Sequence, residues 1–267
     1  MPHMQSEDER FMVMALELAQ LGRGKVEPNP TVGAVLVRDG RELGRGWHRE
    51  FGGPHAEVEA LRAAREAGHD PRGATMYITL EPCCHQGKTP PCTEALIEAG
   101  VGRVVVAMTD PDPRVRGQGL ERLREAGIEV TTSVHEDDAR RLLAPYVKLR
   151  SLSRPWVICK WAQTPDGHIA LPEGDGRWIS GEAARAYVHE LRSLCDGILV
   201  GIATVVADDP LLTNRSGRGK QPVRVVLDSR LQMPQHCRLM QTARTSPLLV
   251  ATTRTGAAAN PGAAEAL

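Results

Sequence analysis

Four side chains in the first half of the chain have the types and spacing for metal chemistry. They are His55 and Glu57 in Pro54-His55-Ala56-Glu57, and Cys83 and Cys92 in the stretch Thr79–Cys92. One imidazole and two thiolates give a tetrahedral zinc three ligands and leave its fourth position open to water. A closed structural site normally takes four protein ligands, so three is the count of a catalytic centre. Glu57, two residues past the histidine, can reach such a water without ligating the metal and can move its protons. Cys84 and His85 lie inside the same loop. A fourth protein ligand would close the site, so Cys84 reads as a non-ligand thiol; His85 is either a substrate contact or a surface histidine. A structural zinc knuckle, or two buried cysteines without metal, is the plainer alternative, but it leaves Glu57 and Pro82 unaccounted for.

These residues need rigid supports. Glu9–Leu21 carries apolar residues at helical period with Gly22 as a stop. Val32–Val37 and Arg41–Trp47 flank Asp39-Gly40, which predicts a hairpin. The segment from His55 to Ala67 has helical spacing, which puts His55 and Glu57 in a first helical turn, where free N–H groups favour anionic ligands. Ala74–Leu80 predicts a strand running into Glu81-Pro82-Cys83, and Thr93–Ala99 a helix starting just after Cys92. A strand over Val101–Met108, a helix over Gly117–Ala126 and a strand over Ile128–Thr132 complete an α/β layered domain, residues 1–145.

A second α/β unit is expected over residues 154–267. It has strands at Trp156–Trp161, Gly197–Gly201, Pro222–Leu227 and Pro247–Thr252, a helix running from Trp178-Ile179-Ser180 through Leu194, and an alanine- and glycine-rich end from Thr255. Neither a metal-ligand cluster nor a glycine-rich nucleotide fingerprint occurs in this half.

The 267 residues are 41% hydrophobic and 25% charged, with a formal net charge of zero and 3% aromatics. That balance suits a globular protein and argues against a nucleic-acid partner, which would call for a basic funnel with stacking aromatics. No apolar run approaches the roughly 20 residues of a membrane span. The polar N-terminus lacks a secretory core, and six cysteines without a disulfide framework suit a reducing, cytoplasmic setting.

His-x-Glu followed by Pro-Cys and a further cysteine is the pattern of zinc-dependent nucleobase deaminases, although their usual gap between cysteines is two residues and here it is eight. Pro28-Asn29-Pro30-x-Val32-Gly33, Pro54-His55-Ala56-Glu57-Val58 and Glu81-Pro82-Cys83-x-His85-x-Gly87-Lys88-Thr89-Pro90-Pro91-Cys92 together resemble the bifunctional riboflavin-biosynthesis deaminase–reductase family, which shows that longer gap. The Lys160…Asp166-Gly167 segment, Trp178-Ile179-Ser180 and Thr204-x4-Asp209-Pro210-x-Leu212-Thr213 continue the match. The resemblance implies a cytidine-deaminase-like three-layer domain followed by an incomplete dihydrofolate-reductase-like α/β domain. The first would use zinc to deaminate 2,5-diamino-6-ribosylamino-4(3H)-pyrimidinone 5′-phosphate, and the second NADPH to reduce the ribosyl side chain; a homo-oligomer is compatible with this. Zinc deamination of another nucleobase or nucleotide, with a degenerate second domain, is the alternative.

By the same resemblance Asn29 orients the pyrimidine; Lys88 and Thr89 are candidates to meet its phosphate, with a solvated loop lysine nearly as good a reading of Lys88. Lys160, Gln163, Trp178, Ser180, Thr204 and Asp208 fall at cofactor positions, and Gly176, Arg192, Leu212 and Arg215 at substrate positions. Thr164-Pro165 and Gly176 depart from the residues usual there. Family members also continue through an acidic-glycine-glycine segment and further strands, so deamination without reduction is the expectation for a chain of this length.

Overall fold

Alternation along three strands decides the architecture of the first unit. In the computed structural model, which describes residues 6–87, 90–170 and 178–265, this unit extends to Ile158. Its elements are α1 (Glu7–Gln20), β1 (Gly33–Arg38), β2 (Arg41–Trp47), α2 (Ala56–Glu66), β3 (Thr75–Ile78), α3 (Cys92–Glu98), β4 (Arg103–Val106), α4 (Gln118–Glu125), β5 (Glu129–Thr132), α5 (Glu136–Leu142) and α6 (Ala144–Leu152). The sheet runs β2-β1-β3-β4-β5. β1 is antiparallel to β2 and β3, whereas β3, β4 and β5 are mutually parallel. Ala34, Leu36, Met76, Ile78, Val104 and Val106 face one way, into a core shared with α2, α3 and α4. Val35, Val37, Tyr77 and Val105 face the other way, against α1, α5 and α6. A period of two with both faces apolar requires helices on both sides, and three layers result.

The hairpin forms around Asp39 and Gly40, whose φ values of 52° and 70° are those of a tight two-residue turn. Two glycines then let α2 lie directly on β2. A Cβ on Gly46 would stand 2.4 Å from the Ala56 carbonyl oxygen, and one on Gly44 2.5 Å from that of Ala60. Both neighbours are helix backbone and cannot rotate away. This contact sets the height of α2, and with it His55 and Glu57, above the sheet. Gly46→Ala is expected to cost about 1–3 kcal/mol or more by overpacking, read as a lowered midpoint in urea; a variant as stable as its parent would show that α2 slides freely.

The second unit, from Cys159 on, contains α7 (Glu182–Leu194), β6 (Gly197–Gly201), α8 (Ile202–Asp208), β7 (Val223–Leu227), α9 (Arg238–Gln241), β8 (Leu248–Ala251), α10 (Arg254–Ala259) and α11 (Pro261–Glu265). Its sheet, β6-β7-β8, is parallel throughout. One face packs Ile198, Val200, Val226 and Val250 against Val205, Leu212 and Leu239. Arg224 projects from β7 into the same side, fully buried, and donates to the carbonyls of Leu211, Leu239, Thr242 and Pro247 and to Thr242 Oγ1.

At four points the structure corrects or adds to the sequence reading. Trp156–Trp161 forms no strand; Trp156, Val157, Ile158 and Trp161 are exposed, because an apolar run becomes a strand only where another strand pairs with it. The segment after Gly201 is helical, and the alanine-rich end holds two short helices, the first capped by Thr253 Oγ1, which accepts from the Gly256 N–H at 3.0 Å. His55 is the N-cap of α2, with extended backbone (φ −76°, ψ 164°), and stands just outside the first turn.

Candidate metal centre

The starts of two helices and the loop after β3 converge. His55 caps α2, Cys92 is the first residue of α3, and Cys83 lies in the loop between β3 and α3. His55 Nδ1 is 3.2 Å from Cys92 Sγ and 3.6 Å from Cys83 Sγ, and the three donor atoms lie within 4.8 Å of one another. Tetrahedral zinc bonds of about 2.0–2.3 Å place donor atoms roughly 3–4 Å apart, so the spacing fits one ion. The Cys92 N–H donates to Cys83 Sγ at 3.3 Å, and the Thr93 N–H to the Cys83 carbonyl at 3.2 Å. The first turn of α3 therefore grips Cys83 from one side.

Electrostatics separate the thiols. A hydrogen bond from Cys92, then those from His55 and the Cys92 N–H, hold Cys83 well below the ordinary thiol range. Cys92, hydrogen-bonded to Cys83 and buried, is pushed up, and the bond to Cys83 raises His55. A soft donor set of two sulfurs and one nitrogen suits zinc, and loading a metal displaces the ligands' protons. Glu57 is 3% exposed, and burial raises its carboxyl. A buried carboxyl near a metal cluster, with a raised pKa, is the type of group that shuttles protons. Cys84 and His85 lie outside the cluster; His85 is exposed, and burial raises the Cys84 thiol.

Asn29 is joined to this centre by a residue that the sequence reading missed. Its Nδ2 lies 3.3 Å from His48 Nε2, while His48 Nδ1 is 2.9 Å from the Pro54 carbonyl. Donation from Nδ1 to Pro54 leaves Nε2 as the acceptor for Asn29, a neutral imidazole in keeping with a pKa lowered by burial. The His48 and His55 rings meet edge to face at 5.2 Å. Nothing in the local sequence marks His48. Only the hairpin register, with Trp47 opposite Gly33 and the His48 N–H on the Val32 carbonyl, brings it there. Lys88 and Thr89 lie outside the described residues, as does Gly176.

In the second unit Arg192 Nη1 donates to the Thr213 carbonyl, beside the buried Leu212, whose φ of 55° is left-handed. The Arg215 N–H donates to His189 Nδ1, one helical turn from Arg192. This places Arg192 and Arg215 near His189, which the sequence reading did not single out, while Leu212 packs into the core beside Thr213. Thr204 and Asp208, four apart on α8, share one exposed side. Arg185 lies over the Trp178 ring at 5.0 Å and donates to the Ser180 carbonyl. Lys160 and Gln163 are exposed, with Gln163 accepting from Trp161 Nε1. Among the described residues no hydrogen bond or ring contact ties Lys160 or Gln163 to Thr204 or Arg192.

Comparison with known proteins agrees with this geometry. A family model described as the cytidine and deoxycytidylate deaminase zinc-binding region matches residues 5–108, and one for the RibD C-terminal domain matches 155–260. The riboflavin biosynthesis protein RibD of Aquifex aeolicus is 45% identical over 244 residues, 91% of this chain and 68% of the relative. That of Actinobacillus pleuropneumoniae is 43% identical over 92% of this chain and 64% of its own length. The crystal structure of a diaminohydroxyphosphoribosylaminopyrimidine deaminase/5-amino-6-(5-phosphoribosylamino)uracil reductase from Thermotoga maritima superposes with a TM-score of 0.86 at 45% identity, over 92% of this chain and 70% of that one. RibD from Acinetobacter baumannii gives 0.84 at 41% identity, over 97% and 72%. Fold and site thus define a zinc-dependent deaminase domain of the cytidine deaminase class, followed by a RibD C-terminal domain. The chain belongs to the RibD family of riboflavin-biosynthesis deaminase–reductases. It spans about two thirds of the length of the curated relatives it matches, from 61% to 68%. Among the described residues no helix is long and apolar enough to cross a membrane.

Proposed function

We propose that the first unit hydrolytically deaminates 2,5-diamino-6-ribosylamino-4(3H)-pyrimidinone 5′-phosphate, and that the second is a domain of the type that, when complete, reduces the ribosyl side chain of the product with NADPH. The observation that carries the deaminase reading is the His55–Cys83–Cys92 cluster with the buried carboxyl of Glu57 close by. Zinc at these three residues supplies the Lewis acidity that makes water nucleophilic near neutral pH. Glu57 takes the proton that water sheds and delivers it to the ring nitrogen, then serves the departing amine. The water oxygen bonds to the amine-bearing ring carbon, Glu57 carries the remaining hydroxyl proton to the amine, and the carbon–nitrogen bond breaks, so that a carbonyl remains and ammonia leaves. Asn29, held by neutral His48, orients the pyrimidine through its amide.

For the second unit the reading rests on the RibD C-terminal domain match and on the Arg192–Arg215 grouping, which suits a phosphorylated substrate. Zero net charge supports a small-molecule substrate over a nucleic acid, and free cysteines a cytoplasmic setting. The test offers the protein the pyrimidine phosphate with NADPH and follows ammonia and NADPH in one sample. Ammonia from this compound, and none from cytidine, guanine or single-stranded RNA, is the expected result. Equal release from a free base would move the reading to another nucleobase deaminase.

A further inference from the structure

Glu81 stands two residues before Cys83, at the end of the strand that delivers it, and is 6% exposed. Its backbone N–H continues the parallel pairing by donating to the Met108 carbonyl at 2.9 Å. Its carboxylate meets backbone N–H groups from a distant segment: Oε2 accepts from Asp110 at 3.0 Å and Gly117 at 2.9 Å, and Oε1 from Gly119 at 2.9 Å. Gly117 is the N-cap of α4 and supplies no side-chain cap of its own. Glu81 therefore caps that helix from outside, where free N–H groups and the helix dipole favour an anion. The two backbones also touch: a Cβ on Gly119 would lie 2.1 Å from the Pro82 carbonyl oxygen.

Gly117 has a left-handed backbone (φ 79°), which a capping serine or aspartate there would strain, so the cap comes from elsewhere in the chain. Drawing the cap from the residue before Pro82 does something further, because it locks the backbone immediately ahead of Cys83 to the end of β4 and the start of α4. On its other side Cys83 is held by the N–H groups of Cys92 and Thr93. We propose that Glu81 is a positioning residue of the zinc centre, fixing Cys83 against the first turn of α3 so that its thiolate stays within ligand distance of His55 and Cys92. This rests on the assignment of those three residues as zinc ligands.

Glu81→Gln tests it. The amide keeps size and one acceptor but turns N–H groups toward backbone N–H donors. Zinc affinity is measured by chelator competition on the full chain, beside thermal unfolding. Changing the supports of metal ligands typically costs about 10–100-fold in affinity, and Glu81→Gln is expected to weaken zinc by that factor. Glu81→Asp, which keeps the charge one methylene short, is expected to fall between it and the parent. The control is Asp8→Asn. Asp8 anchors α1 through Arg103 at 2.8 Å and Tyr77 at 2.9 Å, so this change should lower Tm while leaving zinc affinity untouched. Zinc bound as tightly by Glu81→Gln as by the parent overturns the proposal, and so do losses that only track Tm, as in the control. If neither Glu81 variant folds even with excess zinc, the carboxylate serves the fold as a whole and the proposal also fails. A parent that binds no zinc at these residues would overturn the ligand assignment instead.

Discussion

Glu57→Gln is expected to lower the deamination rate by at least about 100-fold while zinc stays bound, since general acid–base groups contribute typically 10²–10⁴-fold. The glutamine has nearly the same volume, so α2 should keep its seat on Gly44 and Gly46 and His55 its place at the helix start. The amide can neither take up nor give back a proton. Because Glu57 is buried, with its carboxyl raised by that burial, no bulk water stands ready to replace it. The loss should fall mainly in kcat, with KM little changed, as for an interaction made only in the transition state. Near-normal kcat in zinc-loaded Glu57→Gln would reassign the proton shuttle.

Cys83→Ser and Cys92→Ser are each expected to lose zinc and activity together, beyond the roughly 10–100-fold that changes to the supports of ligands cost. Serine offers a neutral hydroxyl in place of a soft thiolate, and borderline-soft zinc holds it poorly. The two losses should differ in kind. Cys83 already lies toward its thiolate form and is partly exposed, so its replacement removes charge with little repacking. Cys92 is fully buried beneath the start of α3, and its replacement leaves a hydroxyl next to Glu57 and His55. Metal analysis after gel filtration checks both; a variant with undiminished zinc and full turnover would remove that cysteine from the ligand set.

Much of the first unit was legible because its signals are local. Alternation in Val32–Val37 and Arg41–Trp47 around Asp39-Gly40 becomes the hairpin, and the helical spacing after Pro54 becomes α2. His55, Glu57, Cys83 and Cys92 were legible as chemistry because few other roles need those types together. What escaped depends on distant backbone. His48 reaches Asn29 through strand register, and Glu81 takes its partners from Asp110, Gly117 and Gly119. Gly44 and Gly46 read as weak strand residues until α2 is seen resting on them. Trp156–Trp161 fails in the opposite way, since its apolar side chains favour pairing but among the described residues no strand pairs with it. In the second unit Arg192 and Arg215 were named by resemblance and lie near His189, whereas Lys160 and Gln163 are exposed away from them.

The central claim is that one zinc, held by His55, Cys83 and Cys92, drives deamination of the pyrimidine phosphate. The most direct measurement strips the protein with a chelator and follows ammonia release from that compound as zinc is returned in steps. Activity should be absent in the stripped protein, rise in proportion to added zinc and stop rising at one equivalent per chain. Ammonia release by the stripped protein at the full rate, or a rise that continues well beyond one equivalent, would contradict it.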